Sequence, residues 1–312
     1  MIIMRICITG SLLFLFLLMN ICFAPLAGAS EQSRTGNTSN GSPWSFSLRG
    51  GYAYQFDADL DRGDSFSTSS LFIQGGPVYS PDHRRSVSLS FGYGYDGYDF
   101  SGTRQAPWQD VHSLRLSAPV RWGFGREWTF IGVPTLRFTA ENSSDWGDGV
   151  TGGGFAGVSY RVSDRLTIGP GIGILSQLED DVSIFPILII DWKITDRLSL
   201  GTGRGLAATQ GPGLTMNLDL DDRWDLFAGG RYEKQRFRLA DDSPVAGGIG
   251  EESSIPLFAG ANYSFSKKIK ASLVGGMKIG GELRQEDSNG SLVAEDDYDP
   301  ALFFAVTFSG RF

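Results

Sequence analysis

The chain has 312 residues, a formal net charge of −8 and 20% charged residues, with a mean hydropathy of −0.10. That hydropathy is far too polar for a helical membrane protein, and the acidic balance excludes the basic surface that nucleic acid demands. Forty-two glycines suit short strands and turns, and a wall whose residues face lipid and lumen alternately averages to near-zero hydropathy.

Residues 1–29 read as a secretory signal peptide. Arg5 is the positive n-region, Leu12 to Leu18 lies in an apolar run, and Ala27-Gly28-Ala29 offers small residues for cleavage. The competing reading is an uncleaved anchor, since Ile6 to Phe23 is nearly long enough to span a bilayer. Both cysteines, Cys7 and Cys22, lie here, and Met19-Asn20-Ile21 lacks the small residue of a lipoprotein signal. The mature chain is therefore expected to be free of cysteine, with no disulfide, thiol chemistry or cysteine-based zinc site. Residues 30–43 are a polar, flexible leader, and 44–312 form one domain.

From Trp44 onward about fourteen strands (twelve to sixteen) are predicted, of the length a tilted strand needs to cross a bilayer. They fall near 44–55, 67–79, 85–96, 110–122, 127–138, 151–162, 165–175, 183–193, 197–205, 212–220, 223–234, 255–265, 269–280 and 300–312. Alternation is sharp in Val87, Leu89, Phe91, Tyr93 and Tyr95, which oppose serines and glycines. It is weakest in 183–193, where Ile187 to Ile190 is apolar on both faces. Tight turns such as Ser163-Asp164-Arg165, Thr195-Asp196-Arg197 and Asp221-Asp222-Arg223 alternate with longer polar loops near 56–66, 97–109, 139–150, 176–182, 206–211, 235–254 and 281–299. Short turns at one rim and long loops at the other mark a membrane barrel with both termini on the periplasmic side. The repeated Asp-Arg of the turns assigns turn-closing hydrogen bonds to Asp164, Asp196 and Asp222.

Aromatic placement decides which face meets lipid. Trp44, Tyr79, Trp122, Trp128, Tyr160, Trp192, Trp224, Tyr263 and Phe312 share the outward phase near the short-turn rim, forming an interfacial girdle. Tyr52, Tyr54, Tyr93, Tyr95 and Tyr232 mark the opposite rim. The inward face carries Arg49, Arg115, Arg121, Arg137, Arg161, Arg231, Lys270, Lys278 and Arg311 beside Asp219, Asp225 and Glu233. Charges at mid-strand avoid hydrocarbon, so the interior is expected to be polar.

Three function classes follow. The first is a porin-like passive or facilitated pore for small polar or anionic solutes, lined by Arg49, Arg115, Arg137, Arg231 and Lys278. Arg121, Arg161 and Arg311 lie nearer the rim. The same charges could instead pair across the lumen, and loop 235–254 or 281–299 is long enough to fold inward as a plug. The second class is a non-conducting barrel with a structural or surface role, its acidic loops Glu179-Asp180-Asp181, Asp241-Asp242, Glu251-Glu252 and Glu295-Asp296-Asp297 facing outward. The third, a lipid-modifying enzyme, has little to build on. His83 lies in a turn, and His112 and Ser113 are neighbours on a strand and so point to opposite faces. No catalytic, cofactor or metal residue is assigned. Gly152-Gly153-Gly154 and Gly201-Thr202-Gly203-Arg204-Gly205 precede no helical pattern and are not phosphate loops.

The last strand, Ala301 to Phe312, alternates cleanly and ends on an aromatic residue. It resembles the assembly signal of bacterial outer-membrane barrels, departing from it at Gly310, where a bulky residue is usual. Ile194-Thr195-Asp196-Arg197-Leu198-Ser199-Leu200-Gly201-Thr202-Gly203, Gly281-Glu282-Leu283-Arg284 and Glu295-Asp296-Asp297-Tyr298-Asp299-Pro300 resemble an uncharacterised Gram-negative outer-membrane β-barrel family, a domain of unknown function. The resemblance spans roughly 150–312. It implies a bacterial outer-membrane location and the barrel fold, while the strand ending at Phe312 points to the barrel-assembly machinery and the acidic loops to contact with outer-membrane lipid and lipopolysaccharide. It implies no substrate.

Overall fold

The computed structural model describes residues 42–102, 105–142, 144, 147–202 and 213–312. The expected signal peptide, nearly all of the leader, the 206–211 loop and the Gly203-Arg204-Gly205 run lie outside them. Among the described residues, eighteen β segments form one sheet, antiparallel throughout its wall. In chain order they are β1 (Trp44–Asp59), β2 (Ser65–Asp82), β3 (Arg85–Ser88), β4 (Ser90–Ser101), β5 (Val111–Ser117), β6 (Val120–Phe124), β7 (Trp128–Glu141), β8 (Val150–Ser163) and β9 (Leu166–Gln177). There follow β10 (Asp180–Lys193), β11 (Leu198–Thr202), β12 (Gly213–Asp219), β13 (Trp224–Arg231), β14 (Glu233–Arg238), β15 (Ile249–Ser266), β16 (Ile269–Glu286), β17 (Leu292–Tyr298) and β18 (Ala301–Arg311).

Four pairs of segments are halves of single strands. The pairing of β2 runs from Gly75↔Phe91 on β4 to Val78↔Ser88 on β3 without a register change. The interruption lies at Pro77, which has no N–H to give the ladder, while Leu89 N still donates to its carbonyl at 3.1 Å. Pro119 separates β5 from β6 in the same way, and both halves keep one register on β7. Tyr232 and Asp299-Pro300 divide β13/β14 and β17/β18 without shifting them. The result is fourteen strands. The sheet closes where β1 pairs with β18, from Ser47↔Arg311 to Gln55↔Phe303. Phe46 and Phe312 exchange both backbone hydrogen bonds at 2.9 Å, so the first and last strands close the sheet on itself.

The tight turns are closed by a different residue from the one expected. Asp221 Oδ1 accepts from the N–H groups of Arg223 and Trp224, at 2.7 and 2.8 Å. Thr195 Oγ1 does the same for Arg197 and Leu198, and Ser163 Oγ for Arg165 and Leu166. The capping residue thus precedes the Asp of each Asp-Arg, because its oxygen must reach donors two and three residues on. Asp196 instead meets Arg165 of the neighbouring turn at 2.8 Å, an exposed pair of small energetic weight.

The outer wall is a continuous apolar surface. Leu71, Ile73, Phe91, Leu136, Ile184, Leu188, Leu273, Leu302 and Val306 are all exposed, an arrangement that only a hydrocarbon solvent stabilises. At its lower margin the girdle forms direct cross-strand pairs. Trp44 meets Tyr79 with ring centroids 5.0 Å apart, and the Trp128–Tyr160 and Trp224–Tyr263 pairs lie at 4.8 Å. Arg85 lies 4.7 Å over the Trp122 ring, and Trp192 and Phe312 complete the exposed belt.

The long connections are largely strand rather than loop. β15 and β16 each run 18 residues, well beyond the ~9–11 that cross a bilayer. The 176–182 connection is a tight turn at Leu178-Glu179.

Candidate functional site

The inner face departs from the uniformly polar lining expected, because two apolar patches lie on it. One comprises Ile131, Val133, Phe155, Phe185 and Ile187, with Leu175 and Ile189 against it. The other comprises Phe227, Phe258, Val274 and Ala305, with Ala53 and Phe303. The ambiguous strand β10 is explained thereby: Ile184 and Leu188 face lipid while Phe185 and Ile187 face the lumen. Many of these rings lie flat on glycine. A Cβ on Gly173 would stand inside the Phe185 ring, and one on Gly276 would come within 2.7 Å of Phe303. The missing side chains leave room for aromatic rings without filling the barrel.

The distal mouth is covered. The β14–β15 hairpin leaves the eleventh strand of the ring and reaches the fifth, on the nearly opposite wall, where Arg238 forms a parallel bridge with Ala140. Glu141, buried at the end of β7, accepts from the backbone N–H of Gln109 at 2.6 Å, from that of Ala240 at 2.9 Å, and from the Ser243 hydroxyl. Arg238 donates to Glu179 at 2.6 Å and to the Asp148 carbonyl at 3.0 Å. Arg236 joins Glu251 and Glu286. Beside these contacts Phe66, Trp108, Phe237, Leu239 and Tyr298 form a buried cluster, with Trp108 and Phe237 edge to face at 5.1 Å. The 235–254 segment therefore folds inward as a cover, one of the two arrangements open to it from sequence.

Between the cover and the second patch lies a cavity of about 200 Å³, bordered by Ala53, Phe258, Phe303 and Ala305 of that patch and by no residue of the first. Four of the five expected lining residues border it: Arg115, Arg137, Arg231 and Lys278. Arg49 faces inward on β1 below it, with no place in its lining. Arg231 pairs with Glu233, Lys234 with Glu251 at 2.6 Å, and Lys278 with Glu252 at 2.9 Å. Tyr98 and Tyr298 also donate to Glu252, at 2.7 and 3.2 Å. On that wall the cations answer carboxylates. Arg115 and Arg137 stand directly opposite one another across the β5–β7 ladder. The inward side chains of β7 run Ile131, Val133, Thr135, Arg137, Thr139 from the short-turn end upward, so cation sits above apolar patch. Gln55 and Thr139 also line the cavity. Both belonged to inward phases readable from sequence, but a neutral side chain carries no signal that singles it out. His112 lies outside, bonded to the Tyr93 hydroxyl at 2.9 Å, with Ser113 on the lumen side.

No protein-family model matches this chain, and no curated protein matches it. Solved structures do. The TodX monoaromatic hydrocarbon channel, as a deltaS2 mutant, is similar with a TM-score of 0.52 and 12% identity, over 87% of this chain and 91% of that one. An outer membrane channel from Pseudomonas putida F1 gives 0.52 and 10%, over 89% and 98%. A FadL homologue from Pseudomonas aeruginosa gives 0.50 and 12%, over 94% and 99%. The fold is that of an outer-membrane β-barrel. With the lipid-facing belt, that fold places the wall in the bacterial outer membrane.

Proposed function

We propose that this barrel is a facilitated channel for small molecules with an apolar body, rather than an open pore for polar solutes. The observation that carries this reading is the pair of inward apolar patches below a covered mouth. Phe258 and Phe303 of the second patch border the cavity, where an apolar solute gains from them and a polar one does not. The likeness to a hydrocarbon channel supports the same class. The lower lumen, with Arg121, Arg161, Asp191, Asp225 and Lys270 inward, is a polar exit that would release such a solute rather than retain it.

The test joins planar-bilayer conductance to solute entry into proteoliposomes. The refolded barrel is expected to show no steady ionic current yet to speed toluene entry over protein-free vesicles. Replacing residues 239–248 with a short Gly-Ser link should turn on conductance. Steady current in the unaltered protein would instead restore the polar-pore reading. Silence together with no toluene entry would leave a structural role.

A further inference from the structure

We infer that the lumen cavity holds a subsite for the carboxylate of a small amphipathic acid, an inference that rests on the channel reading. Three observations converge. Arg115 and Arg137 face each other on adjacent strands and both border the cavity. Like charges directly opposite on a ladder repel, and an anion between two guanidinium groups converts that cost into charge-assisted hydrogen bonds. Second, Gln55 and Thr139 are each only 2% exposed, and the Gln55 amide oxygen and nitrogen and the Thr139 hydroxyl have no partner among the described residues. Buried polar atoms are ordinarily satisfied; these border the same cavity as the arginines, where an incoming oxygen would meet them. Third, Phe72, Phe258 and Phe303 are also in the lining, together with Asp96, Glu233 and Glu252, and the rings offer a face to an apolar ring or short chain. The volume suits one such molecule, since an apolar cavity of ~150 Å³ takes up benzene.

Benzoate is the probe, with toluene and methyl benzoate as uncharged comparators. Binding to the folded full-length barrel in detergent is measured by calorimetry, and solute entry is followed separately in proteoliposomes. Arg115→Gln and Arg137→Gln are each expected to weaken benzoate by ~10-fold or more, as loss of a charge-assisted contact does, and to alter toluene entry far less. Gln55→Leu and Thr139→Val should weaken benzoate and methyl benzoate severalfold, a larger effect than any on toluene. Lys268→Gln, in a short turn, removes one positive charge far from the cavity and should change nothing. Heat-modified gel mobility confirms that each variant is folded. Benzoate binding that survives the double arginine variant overturns the inference, as does its absence in the unaltered protein while toluene still enters. If toluene fails to enter as well, the channel reading falls with it.

Discussion

Single residues set the width and closure of this lumen. Gly173 leaves the Phe185 ring its place on the inner wall, and any side chain there must push the ring into the lumen or bend the strand. Gly173→Ala is expected to cost ~1–3 kcal/mol, the usual penalty of overpacking, read as a lower urea midpoint of the refolded barrel. A second change, Phe185→Leu, should recover part of that loss. Asp221 acts at the opposite extreme of exposure. Hydrogen bonds from the backbone of Arg223 and Trp224 hold its carboxyl below the ordinary aspartate value of 3.8. Since the folded value is the lower one, the stabilisation is complete above 3.8 and fades as pH falls through the folded value. Carbon-13 titration of labelled aspartates should find the Asp221 midpoint below 3.8, and Asp221→Ala should remove that resonance and loosen the 221–224 turn. Neither role is legible from residue type alone. The run Asp221-Asp222-Arg223 offers two carboxylates, and only backbone geometry selects the first.

At the scale of elements, the strands were legible and the cover was not. Period-two alternation with β-branched and aromatic residues located all fourteen strands, since each needs only its own residues to declare two faces. β10 looked weak because an apolar residue on either face reads alike, and only closure shows that Phe185 faces the opposite wall while Ile184 faces lipid. The β14–β15 hairpin read as polar loop, because Lys234, Arg236 and Arg238 alternate with carboxylates that satisfy them only after folding. Glu141 is the clearest case, an ordinary strand-end glutamate that ties three segments together. Glu141→Ala strands two backbone N–H groups and a hydroxyl. It is expected to release the cover and to produce brief conductance openings in a bilayer that the unaltered protein leaves silent. A silent Glu141→Ala channel would mean the hairpin is held by Arg236 and Arg238 alone.

The whole molecule is a barrel with its apolar surface turned outward and a mixed surface within. Leu273, 62% exposed on that outer wall, belongs to the lipid-facing phase of β16. Leu273→Arg should cost ~2–4 kcal/mol if it lies near the midplane, whereas Leu273→Phe should be nearly neutral; urea unfolding in lipid vesicles distinguishes them. Alternation, turn chemistry and aromatic phase are local properties, so the sequence by itself determined an antiparallel barrel of about fourteen strands, the outward phase of its aromatic residues and its membrane setting. It also placed Arg115, Arg137, Arg231 and Lys278 on the inner face. Which of them meet carboxylates, which lie beside apolar rings, and whether the mouth is open depend on strands far apart in sequence facing one another. Glu252 reaches Tyr98 across 154 positions, and Arg238 meets Ala140 on a wall nearly opposite. Those pairings arise only when the sheet closes and sets the stagger of its strands, and for that reason the tertiary structure alone decided the character of the lumen.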